Sequence, residues 1–342
     1  MESGPNRKLC EADFEVLNRI GVGAFSDVSL ARFKKSGKLY ALKRLVWALN
    51  PERISNEIKF MLKLDHPCIV KLICFFREND HVTLVLEYVP HTYFRELLPI
   101  LTPFQIKCYM YQLLIAIAHL HKHRIIHRDI KPANFLFDIE TNRGKTIDCG
   151  LCETDISVPP KSTVTEEDWV RIHGQRKPRD MLFPHLAQHK PKMVWNRAGT
   201  RGFRAPEVLM AAWNQSCKID VWSAGVILLC LLTRRYPFFK AGDDVVSLCE
   251  VASIVGSHRL ELTAIECLRR VSFPFTYKAV NMKDLVISLN PNALREEWDD
   301  SVFDLLTKLL EPIPSLRITA AEAANHDFFV GLPPELAALP KD

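Results

Sequence analysis

The chain has 342 residues, 48% of them hydrophobic and 25% charged, with a formal net charge of +5. That length supports two lobes with a core each, and the composition is that of an ordinary globular chain. The basic excess is too small to indicate nucleic-acid binding, and none is expected.

The ten cysteines are scattered, mostly inside apolar stretches. Cys149 and Cys152 form the single C-x-x-C pair, without a second pair at zinc-site spacing. Reduced thiols and an intracellular protein are expected. Met1 to Lys8 is polar, so no signal peptide is expected. The longest apolar run, Ala224 to Leu232, is far short of the ~20 residues of a membrane span, and no membrane partner is expected.

Residues 14 to 33 alternate around a glycine turn, and 38 to 46 read as a further strand. Pro51 to Leu64 follows helical spacing, with Ile54, Ile58, Met61 and Leu62 predicted on one face. Ile69 to Phe76 and Val82 to Glu87 read as strands about the polar turn Glu78-Asn79-Asp80. After Pro90 the pattern turns helical: Pro103 to His121, Asp220 to Leu232 and Val302 to Leu310. Residues 154 to 198 show no sustained period and read as a long loop.

Five chemical motifs punctuate these elements. Ile20-Gly21-Val22-Gly23-Ala24-Phe25-Ser26-Asp27-Val28 sets two glycines between strands, where backbone can approach a phosphate; taken alone, a plain hairpin turn is the better reading. Lys43 ends an apolar strand, and Glu57 on the next helix is its natural partner if it points inward; two surface side chains are the other reading. Ile125-Ile126-His127-Arg128-Asp129-Ile130-Lys131-Pro132-Ala133-Asn134-Phe135-Leu136 concentrates polar groups between apolar flanks, a density that a structural loop does not need. Asp148-Cys149-Gly150 and Ala205-Pro206-Glu207 follow.

In order and spacing these motifs resemble the eukaryotic protein kinase superfamily, serine/threonine type, from about Phe14 to Phe329. The resemblance implies an α+β two-lobe fold: a small antiparallel β lobe with one main helix (14–86), a hinge (87–91) and a larger, mainly helical lobe (92–329) with an insert at about 154–198. It implies ATP and Mg2+ as cofactors. It assigns Lys43 to the α- and β-phosphates, positioned by Glu57, and Asp129 to the substrate hydroxyl. Lys131 steadies the transferring group, Thr200 bonds Asp129 and Lys131, and Asn134 and Asp148 hold magnesium. Ile20 to Ser26 cover the phosphates. Val28, Ala41 and Leu136 enclose the adenine, Leu86 is the gatekeeper, and the backbone of Glu87 to Val89 bonds the adenine edge. Arg317 is implied to pair with Glu207 as a buried structural ion pair. Such chemistry needs positioning and charge neutralisation more than covalent steps.

Two residues depart from the pattern. Ser26 stands where the third glycine is usual. Cys149 stands where phenylalanine is usual, and a gap is expected in the hydrophobic stack between His127 and Met61, giving a looser switch and not a dead enzyme.

Within the superfamily, Asn134 to Phe137, Gly199 to Glu207, Asp243 to Gly256 and the long loop resemble the cell-division-cycle-seven (DDK) family of replication-origin kinases. That resemblance implies protein substrates such as the MCM helicase, an activating regulatory subunit and a nuclear location. Arg201 departs from an expected proline. Arg197 and Arg204 are read as selecting an acidic residue after the target serine; internal pairing of Arg204 with the loop, and a solvated Arg201, is the other reading. Arg128 is a candidate receptor for a phosphate on Ser157, Ser162, Thr163 or Thr165, although activation by a partner that orders the Glu57 helix is preferred. Two further functions stay open: an inactive pseudokinase scaffold, toward which only Cys149 leans, and another acidic-directed or cyclin-dependent-like kinase.

Overall fold

A computed structural model describes residues 9–22, 26–46, 51–157, 198–294 and 298–341. The small lobe is a five-stranded antiparallel sheet in the order β1-β2-β3-β5-β4: β1 (Phe14–Val22), β2 (Ser26–Phe33), β3 (Leu39–Val46), β4 (Leu72–Glu78) and β5 (His81–Glu87). One helix, α1 (Pro51–Lys63), accompanies it. Strand alternation sorts β3 to two faces. Ala41, Lys43 and Leu45 stand opposite Leu86, Leu84 and Val82 of β5, and the apolar five among them join the main core. Leu42 faces the other way, into a second cluster with Phe14, Ala31, Phe76 and Val85.

α1 buries Ile54, Glu57, Ile58 and Met61. Leu62, predicted on that face, is 65% exposed. The 3.6-residue period carries the stripe through position 57 instead, so a carboxylate stands in the middle of an apolar face. The predicted strand at Ile69 begins only at Leu72; Ile69 makes an isolated bridge to Thr146.

The large lobe starts with α2 (Phe94–Leu97) and α3 (Pro103–Lys122). Thr102 and Gln105 close a capping box at the start of α3, with Pro103 at its first turn, where its missing N–H is not needed. Short strands follow: β6 (Ile125–Ile126), β7 (Phe135–Asp138), β8 (Arg143–Thr146) and β9 (Glu153–Thr154), paired β6 with β9 and β7 with β8. Then come α4 (Pro206–Leu209), α5 (Lys218–Thr233), α6 (Asp244–Val255), α7 (Ser257–Glu266), α8 (Met282–Leu289), α9 (Ser301–Leu309), α10 (Ala320–Ala324) and α11 (Pro334–Ala337). Nearly every residue of α5 is buried, as expected of a helix that is apolar all round. The two lobes are those the sequence predicts. Residues 158–197, most of the predicted long loop, lie outside the described residues.

All ten cysteines are free. No helix among the described residues is long and apolar enough to cross a membrane.

Candidate active site

Lys43 leaves the core face of β3 only 8% exposed. Its Nζ lies 2.6 Å from Oε1 of Glu57 and 2.7 Å from Oδ1 of Asp148. Burial works against the ammonium charge, but the two carboxylates outweigh it and hold the pKa above the ordinary lysine value. Burial likewise opposes the Asp148 charge, and Lys43 more than reverses this, drawing the carboxyl down to about 2. Lys43 and Asp148 therefore carry their charges at neutral pH. Asp148 adopts a left-handed backbone (φ 68°) and accepts from the Gly150 N–H at 3.2 Å.

The loop between β6 and β7 carries the second group. Oδ1 of Asp129 accepts from the Thr200 N–H (2.9 Å) and hydroxyl (2.7 Å). Oδ2 lies 2.7 Å from Lys131 Nζ and accepts from Asn134 Nδ2 at 3.1 Å. Lys131 also donates to the Thr200 hydroxyl at 2.9 Å. Four groups thus fix one carboxylate that is 8% exposed. His127, fully buried, accepts from the Asp129 N–H through Nδ1, so its Nε2 donates to the Ile147 carbonyl at 3.1 Å. Gly199 closes the loop from the far side. At φ +104°, a Cβ there would sit 2.6 Å from the Arg128 carbonyl oxygen, so the position admits only glycine.

The anchor beneath this loop is Asp220, in the first turn of α5. It accepts from the backbone N–H of His127 (2.8 Å) and Arg128 (2.9 Å) and from His121 Nε2 (3.0 Å). Burial opposes its charge, and these partners hold its pKa below the usual carboxylate value. Its signal in the sequence is a lone acid opening an otherwise apolar helix, a pattern that by itself does not mark a loop anchor.

The residues expected on the nucleotide side fall mainly where β1, β2, β3 and β5 meet. Gly21 pairs with Val28, Val28 with Lys43 and Ala41 with Leu86. Ile20, Val28 and Val89 are half-buried against the core that holds Ala41 and Leu86. Ser26 and Leu136 are half-buried on β2 and β7, and Val22 is exposed. Glu87 ion-pairs with Lys145 at 2.7 Å, and its N–H donates to the Lys71 carbonyl. Gly23, Ala24 and Phe25 lie outside the described residues.

A hard cation finds oxygen donors here. The Nδ2 of Asn134 is committed to Asp129, donating to its backbone carbonyl (2.9 Å) and to Oδ2 (3.1 Å), so its Oδ1 is the atom left to accept or ligate. Among the described residues no three His, Cys, Asp or Glu side chains cluster as a complete metal cage. One carboxylate and one amide suit magnesium, which keeps waters and takes substrate phosphates as its remaining ligands.

One sequence expectation needs correction. Arg204 is not presented to substrate: its Nε donates to the Gly199 carbonyl (3.0 Å) and its Nη1 pairs with Asp244 at 2.9 Å. The first turn of α6 brings that carboxylate across, a contact no local pattern reveals. Arg128 is likewise engaged, with Nε 2.7 Å from Glu153 and Nη1 donating to Gln215 at 2.6 Å. Arg201 is exposed, and Arg197 lies outside the described residues.

Comparison with known proteins matches residues 14–170 and 181–329 to the protein kinase domain. The chain is 36% identical over 338 residues to a probable cell division control protein 7 homolog of Encephalitozoon cuniculi, covering 92% of this chain and 91% of that protein. It is 33% identical to the cell cycle protein kinase spo4 of Schizosaccharomyces pombe, covering 93% and 86%. It is 35% identical to the cell cycle serine/threonine-protein kinase hsk1 of the same yeast, covering 85% of this chain and 61% of that protein.

Proposed function

Since the chain belongs to the protein kinase family and is closely related to the cell division control protein 7 kinases, we propose that it phosphorylates serines followed by acidic residues in nuclear replication-initiation proteins such as the MCM helicase. The observation that carries the reading is the pairing of the fully bonded Asp129 with the Lys43–Glu57–Asp148 triad. Asp129 accepts the substrate hydroxyl proton, and Lys131 offsets charge on the transferring group. Lys43 holds the nucleotide phosphates, Glu57 sets its direction, and Asp148 and Asn134 hold magnesium, which supplies neutralisation of phosphate charge.

With Arg204 committed to Asp244, the exposed Arg201 is the described arginine left to meet an acid after the target serine. The test is magnesium-ATP transfer to peptides differing only in that residue, with and without a DDK-type regulatory subunit. Aspartate is expected to outrank alanine, the subunit to raise the rate, and Arg201→Ala to narrow the preference. Equal rates on both peptides would remove the acidic-substrate reading. Unchanged rates with the subunit would remove the partner.

The partner acts on a Lys43–Glu57 pair that the chain already forms, so its role is to hold α1 in place. Loop phosphate has a weaker claim. Glu153 already sets a carboxylate on Arg128, and β9 is pinned beside β6. The Asp155 carboxylate takes the N–H groups of Ser157 and Cys217. Alanine at Ser157, Ser162, Thr163 and Thr165 together is expected to leave the rate within a few-fold. Glu153→Gln, which removes the charge facing Arg128, is expected to cost about ten-fold, the scale of a charged hydrogen bond. A dead quadruple variant with a fully active Glu153→Gln would reverse the assignment.

A further inference from the structure

Glu57 can hold Lys43 only if α1 keeps its distance from the Asp148–Gly150 turn. Cys149, at the centre of that turn, is 6% exposed and lies in the same buried cluster as Met61 of α1. A cysteine offers a fraction of the apolar contact of an aromatic ring, so a side chain of this size is a weak fastening between turn and helix.

The helix makes a different one. Arg53 stands one turn before Glu57, on the same side of α1. Its Nε donates to the Gly150 carbonyl at 2.5 Å. Gly150 in turn donates to Asp148 Oδ1, the oxygen that Lys43 shares. The contacts form a closed circuit: Arg53 to Gly150, Gly150 to Asp148, Asp148 to Lys43, Lys43 to Glu57, and back along the helix. There is little slack in it. A Cβ on Gly150 would lie 3.0 Å from Asp148 Oδ1 and 3.4 Å from Glu57 Oε2, so the turn's backbone rests directly against both carboxylates.

We propose that Arg53 is a positioning residue, which fastens α1 to the Asp148–Gly150 turn by a charge-assisted hydrogen bond in place of the bulky side chain absent at Cys149. The inference rests on reading this site as the phosphoryl-transfer centre. The expected looseness from Cys149 is thereby offset. A guanidinium bond to a carbonyl oxygen is roughly twice as strong as a neutral one, and it is directional where apolar packing is not.

The test compares the full chain with Arg53→Met, Cys149→Phe and the double variant. Methionine keeps the length of the arginine stem and removes the donor. Arg53→Met is expected to lower kcat about ten-fold, with the peptide KM and the thermal midpoint near those of the parent. Cys149→Phe should restore most of that loss in the Arg53→Met background while changing the parent little; Cys149→Leu serves if phenylalanine does not fold. A kcat within about two-fold of the parent overturns the proposal, as does an equal effect of Cys149→Phe in both backgrounds, since independent sites simply add. Amide hydrogen exchange supplies a readout without catalysis. Arg53→Met should speed exchange across residues 148–152 and α1, and unchanged protection overturns the clamp. A parent chain that transfers no phosphate sinks the reading of the site, and the exchange result still decides the clamp.

Discussion

Asp129→Asn is expected to lower kcat by about a hundred- to ten-thousand-fold, the range associated with a general base, while the KM for ATP stays within a few-fold. The change is nearly isosteric, but four donors converge on the aspartate. Thr200 occupies Oδ1 twice, and Lys131 and Asn134 share Oδ2. An asparagine has one carbonyl oxygen to offer. Kept on Thr200, its NH2 faces the Lys131 ammonium and the Asn134 amide, donor against donor. Turned the other way, it abandons the two Thr200 bonds. In either arrangement the acceptor for the hydroxyl proton is gone and Lys131 loses its counter-charge. Glu57 and Asp148 both bond Lys43 and not Asp129, which is why nucleotide affinity should survive. Steady-state kinetics with a thermal-unfolding control decides the matter. A variant retaining more than about a tenth of parental kcat would show that Asp129 does not take the proton.

The second large effect concerns stability. Arg317→Met is expected to destabilise the chain by about 3–5 kcal/mol, the cost of breaking a buried ion pair from one side. Set against a typical total of ~5–15 kcal/mol, that is a large share. Arg317 is fully buried and makes a two-pronged contact with Glu207, at 2.7 and 3.0 Å. Its remaining N–H groups go to the carbonyls of Glu311, Lys218 and Pro312, and its guanidinium lies 5.3 Å from the Trp222 ring centroid. Methionine leaves the Glu207 carboxylate without a counter-ion in a site that water does not reach. Most of the cost is that orphaned charge, so adding Glu207→Gln should recover part of the loss. Urea unfolding of the two variants measures both numbers. A loss below about 1 kcal/mol would place the pair with exposed salt bridges.

The legible parts of this protein were those whose information is local. The strand at 38 to 46 and the helix opening at Pro103 needed only neighbours a few residues apart. Asp129, Lys131 and Asn134 lie within six positions, and the fold places all three on one carboxylate-centred network. Where a partner comes from far along the chain, local pattern failed. Arg204 reads as a substrate-facing cation until Asp244 crosses to it. Leu62 reads as part of the buried face and is exposed, because a hydrophobic pattern ranks leucine above the glutamate that the stripe runs through.

The sequence alone determined the family and the order of the elements, and it named the groups proposed to move a phosphoryl group, because each depends on residue type at fixed short spacing. Only the tertiary structure decided which charges are spoken for. Whether Lys43 points inward, whether Arg204 is free and what fastens α1 beside Cys149 depend on carboxylates and carbonyls brought from 14 to 105 positions away. A buried charge takes its role from the partner that offsets its desolvation, and that partner is chosen by packing.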